Sequence, residues 1–147
     1  MAYLLDTDTC SFVIHQRRGF EAIVAHMEGL YYGDLLVSMI SVAELYVMAA
    51  KARNPALKLA QVAELLTELK REPFDDAAAV VYGEMRALLE RAGKTIGPLD
   101  TLIAAHALSR GATMVTNNVD EFSRVPGLMV ENWYPDPRRK KTSRPLP

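Results

Sequence analysis

The stretch Tyr3-Leu4-Leu5-Asp6 constrains the fold of this 147-residue chain more than any other. Its three apolar residues form a short run of the kind found in strands that are buried on both faces of a parallel sheet. The run ends at a carboxylate, whose burial costs free energy unless it is hydrogen-bonded, paired or bound to a cation. The stretch therefore predicts a central strand that carries an acid to the edge of the core.

Two further segments combine an apolar run with an acid in the same way. They are Ile40-Ser41-Val42-Ala43-Glu44-Leu45 and Ile96-Gly97-Pro98-Leu99-Asp100. A group of carboxylates without histidine or cysteine suits a hard cation that keeps several of its waters, such as Mg²⁺ or Mn²⁺. The three acids together predict a site for a divalent metal ion.

Each acid also has a local alternative that the sequence leaves open. Ser41 and Glu44 have the spacing of a capping box, in which the glutamate bonds back to the helix cap. Asp100 could complement the dipole of the helix that Pro98 begins. Asp6 could form a turn with its own backbone at the end of a strand.

Composition predicts one globular domain. Half of the residues are hydrophobic and 24% are charged, and a chain of this length buries roughly two-thirds of its unfolded surface. Cys10 is the one cysteine, so no intramolecular disulfide is expected. The start has neither the basic nor the long apolar region of a secretory signal, and the most apolar window, residues 35–50, is too short to span a membrane. We therefore expect a cytoplasmic protein that does not bind membranes.

The order of predicted elements indicates an α/β fold. Short apolar runs predict strands at residues 3–5, 35–39, 113–116 and 128–130, and helical patterns lie at residues 20–31, 41–53, 56–71, 76–92 and 98–111. Such alternation favours parallel pairing through right-handed crossovers. We predict a single three-layer domain over residues 1–133, with a central parallel sheet of about four to five strands flanked by helices. Because ligands bind beyond the carboxyl ends of such strands, the acids should converge there.

The last fourteen residues, 134–147, differ in composition from the rest. They hold four prolines and five basic residues against Asp136, whereas residues 1–133 carry a net charge of −5. This composition predicts a disordered basic tail. Two interpretations stay open, a solvated terminus and an electrostatic arm that binds nucleic acid without selecting its sequence.

Four segments, taken in order, resemble one family. They are Tyr3-Leu4-Leu5-Asp6-Thr7-Asp8, residues 40–45, residues 96–107, and residues 115–128, which begin Val115-Thr116-Asn117-Asn118. The chain closely resembles the PIN-domain ribonucleases, and most nearly the VapC toxins of type II (VapBC) toxin–antitoxin systems. The two long segments near the end make the resemblance specific.

The resemblance implies a PIN-like α/β fold and an Mg²⁺-dependent endoribonuclease, with Mn²⁺ as an alternative ion, that hydrolyses RNA phosphodiester bonds and so inhibits translation and growth. Asp6, Glu44 and Asp100 match the family's catalytic acids and metal ligands. The implied partners are RNA, tRNA included, a VapB-type antitoxin, and a second copy in a homodimer or larger toxin–antitoxin assembly. Exposed apolar residues of two helices would clamp an antitoxin helix: Tyr46, Val47, Met48, Leu57 and Leu59.

The chain departs from the family pattern at two positions. Asn118 stands where many PIN domains have an acid, and Asp120 is a second candidate for that role. Asp8 replaces a common asparagine and adds negative charge near Asp6. Thr116, at a strand end, is expected to orient one of the carboxylates.

Two other functions remain open. A haloacid-dehalogenase-like phosphatase would also have an Asp-x-Asp sequence at a strand end, as in Asp6-Thr7-Asp8, but Cys10 stands where that family has threonine or valine. The second alternative is a non-catalytic interaction protein that keeps the PIN fold for binding alone.

Overall fold

The computed structural model describes residues 1–136, so the predicted tail lies outside the described residues from position 137 onward. Within the described part, strands and helices alternate along the chain. The strands are β1 (Tyr3–Leu5), β2 (Leu35–Ser38), β3 (Lys70–Glu72), β4 (Thr113–Val115) and β5 (Val130–Glu131). The helices are α1 (Thr7–Ile14), α2 (Phe20–Glu28), α3 (Met39–Ala50), α4 (Pro55–Leu66), α5 (Asp76–Arg91), α6 (Pro98–Ser109) and α7 (Val119–Phe122), with a 3₁₀ turn at Tyr32–Asp34.

The five described strands form one parallel sheet in the order β3-β2-β1-β4-β5. β1 is central, and Leu4 pairs in register with Leu36 on one side and with Met114 on the other. The predicted parallel α/β architecture is therefore confirmed. This order also places the carboxyl ends of β1, β2 and β4 side by side.

Helices cover both faces of the sheet, because successive strand residues point to opposite sides. Leu5, Val37 and Val115 face a core formed with α1 to α4. Leu4, Leu36 and Met114 face a second core formed with α5, α6 and α7. The domain is accordingly three layers deep, and β1 is buried on both faces.

Several predicted helix boundaries were wrong. The helix predicted at residues 41–53 is α3, which begins at Met39 and ends at Ala50, and the helix predicted at residues 20–31 ends at Glu28. The pattern predicted a helix over residues 56–71, but α4 ends at Leu66, where the Thr67 hydroxyl donates to the Glu64 carbonyl at 2.6 Å. The chain then turns through the buried Leu69 and adds β3 to the edge of the sheet. β3 consists of three charged residues, a composition that protects an edge strand from further pairing but hides it from hydrophobic pattern analysis. No helix in residues 1–136 is both long and apolar enough to cross a membrane.

Candidate active site

Asp6 lies directly after β1 and is the N-cap of α1. Its Oδ1 accepts from the Thr9 backbone N–H at 2.8 Å, and its Oδ2 accepts from the Thr116 hydroxyl at 2.6 Å. Burial raises the pKa of Asp6, the bonds from Thr116 and Thr9 lower it, and the charge of Asp8 raises it again. The fold thus holds a nearly inaccessible carboxylate in one orientation at the carboxyl end of the central strand.

Thr116 performs the orienting contact that its position predicted. It follows β4 and is fully buried, and its hydroxyl accepts from the Asn118 backbone N–H at 2.9 Å while donating to Asp6. Because a hydroxyl has a single proton, this arrangement fixes the direction of both bonds. Thr116 therefore links the turn after β4 to the acid after β1.

Glu44 reaches the same edge from the second turn of α3. The Thr7 hydroxyl lies 2.7 Å from Glu44 Oε1 and 2.9 Å from the Ser41 hydroxyl. Since an ionised carboxylate can only accept, Thr7 donates its one proton to Glu44 and accepts from Ser41. The capping-box alternative is wrong, because Ser38 caps α3 through a bond from the Ile40 N–H and Ser41 lies inside the helix.

Asp100 is the third residue of α6, after Gly97 and Pro98. Its pKa is raised to about 6, first by burial and then by the negative charges of Glu121, Asp6, Asp8 and Glu44. Asp100 and Glu121 flank Gly97, Glu44 bonds the residue next to Asp6, and all four charges act on Asp100, so segments far apart in sequence converge in space. Asp100 also lies in the first turn of its helix, so its interaction with the helix dipole remains an additional role.

Glu121 is a member of this acidic group that sequence reasoning missed. Its Oε1 accepts from the Gly97 N–H at 2.8 Å, and its Oε2 accepts from the Asn118 side-chain amide. A Cβ at Gly97 would lie 3.6 Å from Asp100 Oδ2 and 3.7 Å from Glu121 Oε1, so both carboxylates flank that glycine. The sequence offered one indication of Glu121: it is an acid that stands three residues after Asn118, at the start of a helix.

The other three sequence candidates are placed differently. Asn118 is exposed and bonds Glu121, which connects it to the acidic group through that residue. Asp120 precedes Glu121 in α7 and is exposed. Asp8 is exposed on the first turn of α1. Asp8 acts on the site through its charge, which raises the pKa of both Asp6 and Asp100.

The acids do not form a closed metal cluster. Among residues 1–136, no three histidine, cysteine, aspartate or glutamate side chains are placed to ligate one ion together. The described ion pairs involve Glu72, Asp75 and Glu90, so none of them neutralises the acids at this edge. The site is a set of neighbouring carboxylates held by threonine hydroxyls, with negative charge that no described cation balances.

The three histidines make contacts elsewhere. His106 is buried in α6 with its Nδ1 2.8 Å from the Ser38 hydroxyl, and burial lowers its pKa. His26 stacks on Trp133 and His15 lies against Ser11. None of these contacts brings a histidine to the acids at the carboxyl edge of the sheet.

We expect Glu121→Gln to lower the pKa of Asp100. Glu121 is the largest charge contribution to that raised pKa, whereas a glutamine could still accept from the Gly97 N–H. Carboxyl-carbon NMR titration of Asp100 measures the effect. Asp120→Asn removes an exposed charge from the adjacent position and serves as the control. An Asp100 pKa that stays near 6 in Glu121→Gln would contradict the assigned coupling.

The parallel sheet with acids at its carboxyl edge agrees with what the sequence resemblance implied, and the PIN domain family model matches residues 3–128. The chain is 38% identical to the tRNA(fMet)-specific endonuclease VapC of Shigella flexneri, over 90% of this chain and 98% of the relative. It is 35% identical to ribonuclease VapC2 of Rickettsia felis, with the same coverage. The chain therefore belongs to the PIN-domain family, among the VapC proteins.

Solved structures agree with this assignment. The fold matches VapBC2 of Rickettsia felis bound to a promoter DNA fragment with a TM-score of 0.84 and 34% identity, covering 90% of this chain and 99% of the other. DNA-bound VapBC of Salmonella typhimurium matches with a TM-score of 0.84 and 38% identity, covering 90% and 98%. The predicted family and fold are confirmed, and the phosphatase alternative has no remaining support.

Proposed function

We propose that this protein is a metal-dependent endoribonuclease that acts as the toxin of a toxin–antitoxin pair. The observation that carries the proposal is the convergence of Asp6, Glu44, Asp100 and Glu121 at one edge of the sheet, in a chain similar to a tRNA(fMet)-specific endonuclease. The proposed substrate is RNA, tRNA included, and hydrolysis of its phosphodiester bonds would inhibit translation and growth.

The donor set of the site fits Mg²⁺ or Mn²⁺, which prefer oxygen ligands. Mg²⁺ is usually bound by one or two carboxylates and keeps several waters, so it does not require three side chains of residues 1–136 to meet at one point. Asp6 and Asp100 would hold the ion, directly or through water, and Glu44 would assist. A bound divalent ion supplies a Lewis acid that activates water and neutralises charge on a phosphodiester.

The chain's own residues would perform the remaining steps. Thr9 and Thr116 keep the Asp6 carboxylate in place, so it needs no reorientation when substrate binds. Glu44, held by Thr7, is the candidate base for the proton of the attacking water. Glu121 fixes the backbone at Gly97, which leads into the helix that carries Asp100.

A VapB-type antitoxin is the proposed partner, because the solved structures of the similar VapC chains are VapBC complexes. Tyr46, Val47, Leu57 and Leu59 are between 41% and 56% exposed, whereas Met48 is partly buried against the core. These exposed apolar side chains on α3 and α4 form a surface suited to an amphipathic helix. A basic side chain of the antitoxin entering the acidic site would replace the charge of the ion. We also propose a homodimer or larger assembly.

Cleavage of RNA in the presence and absence of metal tests the proposal. The purified protein is incubated with total RNA and with a tRNA transcript, and the new ends are mapped. We expect cleavage with Mg²⁺ or Mn²⁺, no cleavage with a chelator, and recovery on adding back the ion. Cleavage that persists in chelator would contradict the metal requirement. RNA binding without cleavage under every condition would favour the non-catalytic alternative.

A further inference from the structure

His106 is a buried, titratable side chain that the proposed mechanism does not use. It is the ninth residue of α6, it is fully buried, and its Nδ1 lies 2.8 Å from the Ser38 hydroxyl. The Phe74 ring meets the imidazole edge-on, with ring centroids 5.4 Å apart. Ser38 is also fully buried, so water does not compete for the bond, and the two side chains hold each other in place.

Ser38 connects this bond to the helix that carries Glu44. It is the last residue of β2 and the N-cap of α3, and its hydroxyl accepts from the Ile40 N–H at 3.1 Å. Glu44 lies six residues after Ser38, and Asp100 lies six residues before His106 on α6. At 1.5 Å per residue, each acid is about 9 Å along its helix from the bonded pair. The bond therefore joins the two helices that carry Glu44 and Asp100.

Other hydrogen bonds of side chains join the remaining segments of the acidic site. They connect α1 to α3, the residue after β4 to the N-cap of α1, the N-cap of α7 to the residue after β4, and the residue before α6 to α7. In the same order they are Thr7 to Glu44, Thr116 to Asp6, Asn118 to Thr116 and Gly97 to Glu121.

The bond between His106 and Ser38 closes these links into a ring, because it leads from α6 back to α3. Among residues 1–136 it is the one side-chain hydrogen bond that joins α6 to α3 or to its cap. In a closed ring, a segment that carries an acid cannot shift without straining a bond. Loss of the link would leave α6 and α3 tied to each other only through the longer way round.

We propose that His106 is a positioning residue that acts through Ser38 to set the separation of Asp100 and Glu44. The proposal rests on the proposed ribonuclease function, which needs these two acids at one ion and one phosphodiester. A misplacement of about 1 Å in a reacting group can lower a rate on the order of a hundredfold. His106 itself touches neither acid, so its effect is on geometry and not on proton transfer.

Two substitutions of His106 separate this role from simple packing. Asparagine carries its amide at the position of the imidazole Nδ1, where it can donate or accept, so His106→Asn keeps the bond to Ser38. Glutamine fills more of the space and is the better helix former, but its amide stands one bond farther out, at the position of Nε2. Packing alone therefore predicts that His106→Gln is the more active variant, whereas the positioning role predicts the opposite order.

Steady-state cleavage of a tRNA transcript measures this order. For His106→Gln we expect a kcat that is lower by about tenfold to a hundredfold with KM within about twofold, and for His106→Asn a kcat within about threefold of native. An equal kcat in the two variants, a more active glutamine variant, or a change in KM alone would overturn the positioning role.

Ser38→Ala tests the other end of the bond, and Asn54→Ala is its matched control. Asn54 is the N-cap of α4, and its Oδ1 accepts from the Leu57 N–H at 3.2 Å. Each alanine removes a cap worth about 1 kcal/mol, so the two variants should lose similar Tm. We expect kcat to fall about tenfold in Ser38→Ala and to stay within about twofold of native in Asn54→Ala. Adding Ser38→Ala to His106→Gln should lower kcat no further, because both remove one bond.

Calorimetry with Mn²⁺ gives a readout that needs no RNA. We expect Mn²⁺ affinity to fall about tenfold in His106→Gln and Ser38→Ala, and to be unchanged in Asn54→Ala. Losses of affinity and kcat no larger than those of Asn54→Ala would overturn the role of His106 while the ribonuclease proposal stands. A native protein that neither cleaves RNA nor binds Mn²⁺ would overturn both proposals, because His106 would then have no site to position.

Discussion

Replacing Asp6 with asparagine should reduce RNA cleavage on the order of a thousandfold while the protein stays folded. Asparagine is as good an N-cap as aspartate, and its side-chain oxygen can still accept from the Thr9 N–H that now bonds Asp6 at 2.8 Å. The substitution therefore keeps the helix cap but removes the negative charge and replaces the oxygen that accepts from the Thr116 hydroxyl with an amide N–H₂ group. Initial rates on a tRNA transcript, with circular dichroism and the Tm as checks of folding, measure the outcome.

Asp75→Asn is the matched control for this experiment. Asp75 is also an N-cap aspartate, because its Oδ1 accepts from the Ala78 N–H at 3.0 Å at the start of α5. It lies outside the acidic group, so cleavage should stay within about twofold of the native rate. If Asp6→Asn retained full activity, Asp6 could not be a metal ligand and the proposed site would be wrong.

Comparison of Asp6→Asn with Asp6→Ala separates the two roles of this residue. Alanine loses both the charge and the helix cap, and a lost cap costs about 1 kcal/mol of stability. Both variants should therefore be inactive, and the alanine variant should be less stable than the asparagine variant, which keeps the helix cap.

The sheet and the convergence of the three acids could be predicted because both follow from the chain's order of elements. Apolar runs at β1, β2 and β4 identified the buried strands, and parallel strands must present their carboxyl ends at one edge. Asp6, Glu44 and Asp100 each enter or follow such a run. That these acids lie near one another could therefore be predicted without knowing any side-chain contact.

The features that could not be predicted depend on contacts between distant segments. β3 is an edge strand of charged residues, and only its pairing with β2 makes it a strand. Ser41 has the spacing of a helix cap, but its hydroxyl instead bonds Thr7, 34 residues earlier. Glu121 bonds Gly97, 24 residues away, and no local pattern indicates that distance.

Asp100→Asn should abolish cleavage and, without metal, make the protein more stable. The native carboxyl has a pKa of about 6 against an ordinary value of 3.8, because burial and four neighbouring acids oppose its charge. A raised acid pKa means that the folded state loses stability as pH rises from about 4 to 6, where only the unfolded chain is ionised. Above pH 6 the full cost, about 1 to 3 kcal/mol, is present.

The stability that Asp100→Asn gains over the native protein should therefore be near zero at pH 4. It should increase up to pH 6 and stay constant above that pH. Denaturant unfolding at several pH values in a chelating buffer measures this profile. Adding Mg²⁺ should stabilise the native protein more than the variant, because bound metal favours the ionised carboxylate. A gain that did not change with pH would contradict the assignment of the pH dependence to Asp100.

Asp76→Asn distinguishes this effect from a helix-dipole role. Asp76, like Asp100, lies in the first turn of its helix, but it is exposed on α5. Loss of a favourable dipole interaction should destabilise Asp76→Asn by about 0.3 to 1 kcal/mol. If Asp100 served only the dipole of α6, Asp100→Asn would be destabilised in the same way. If Asp76→Asn is destabilised and Asp100→Asn is stabilised, repulsion among the clustered acids outweighs the helix dipole at Asp100. Such repulsion is expected of carboxylates that are placed together to bind a cation.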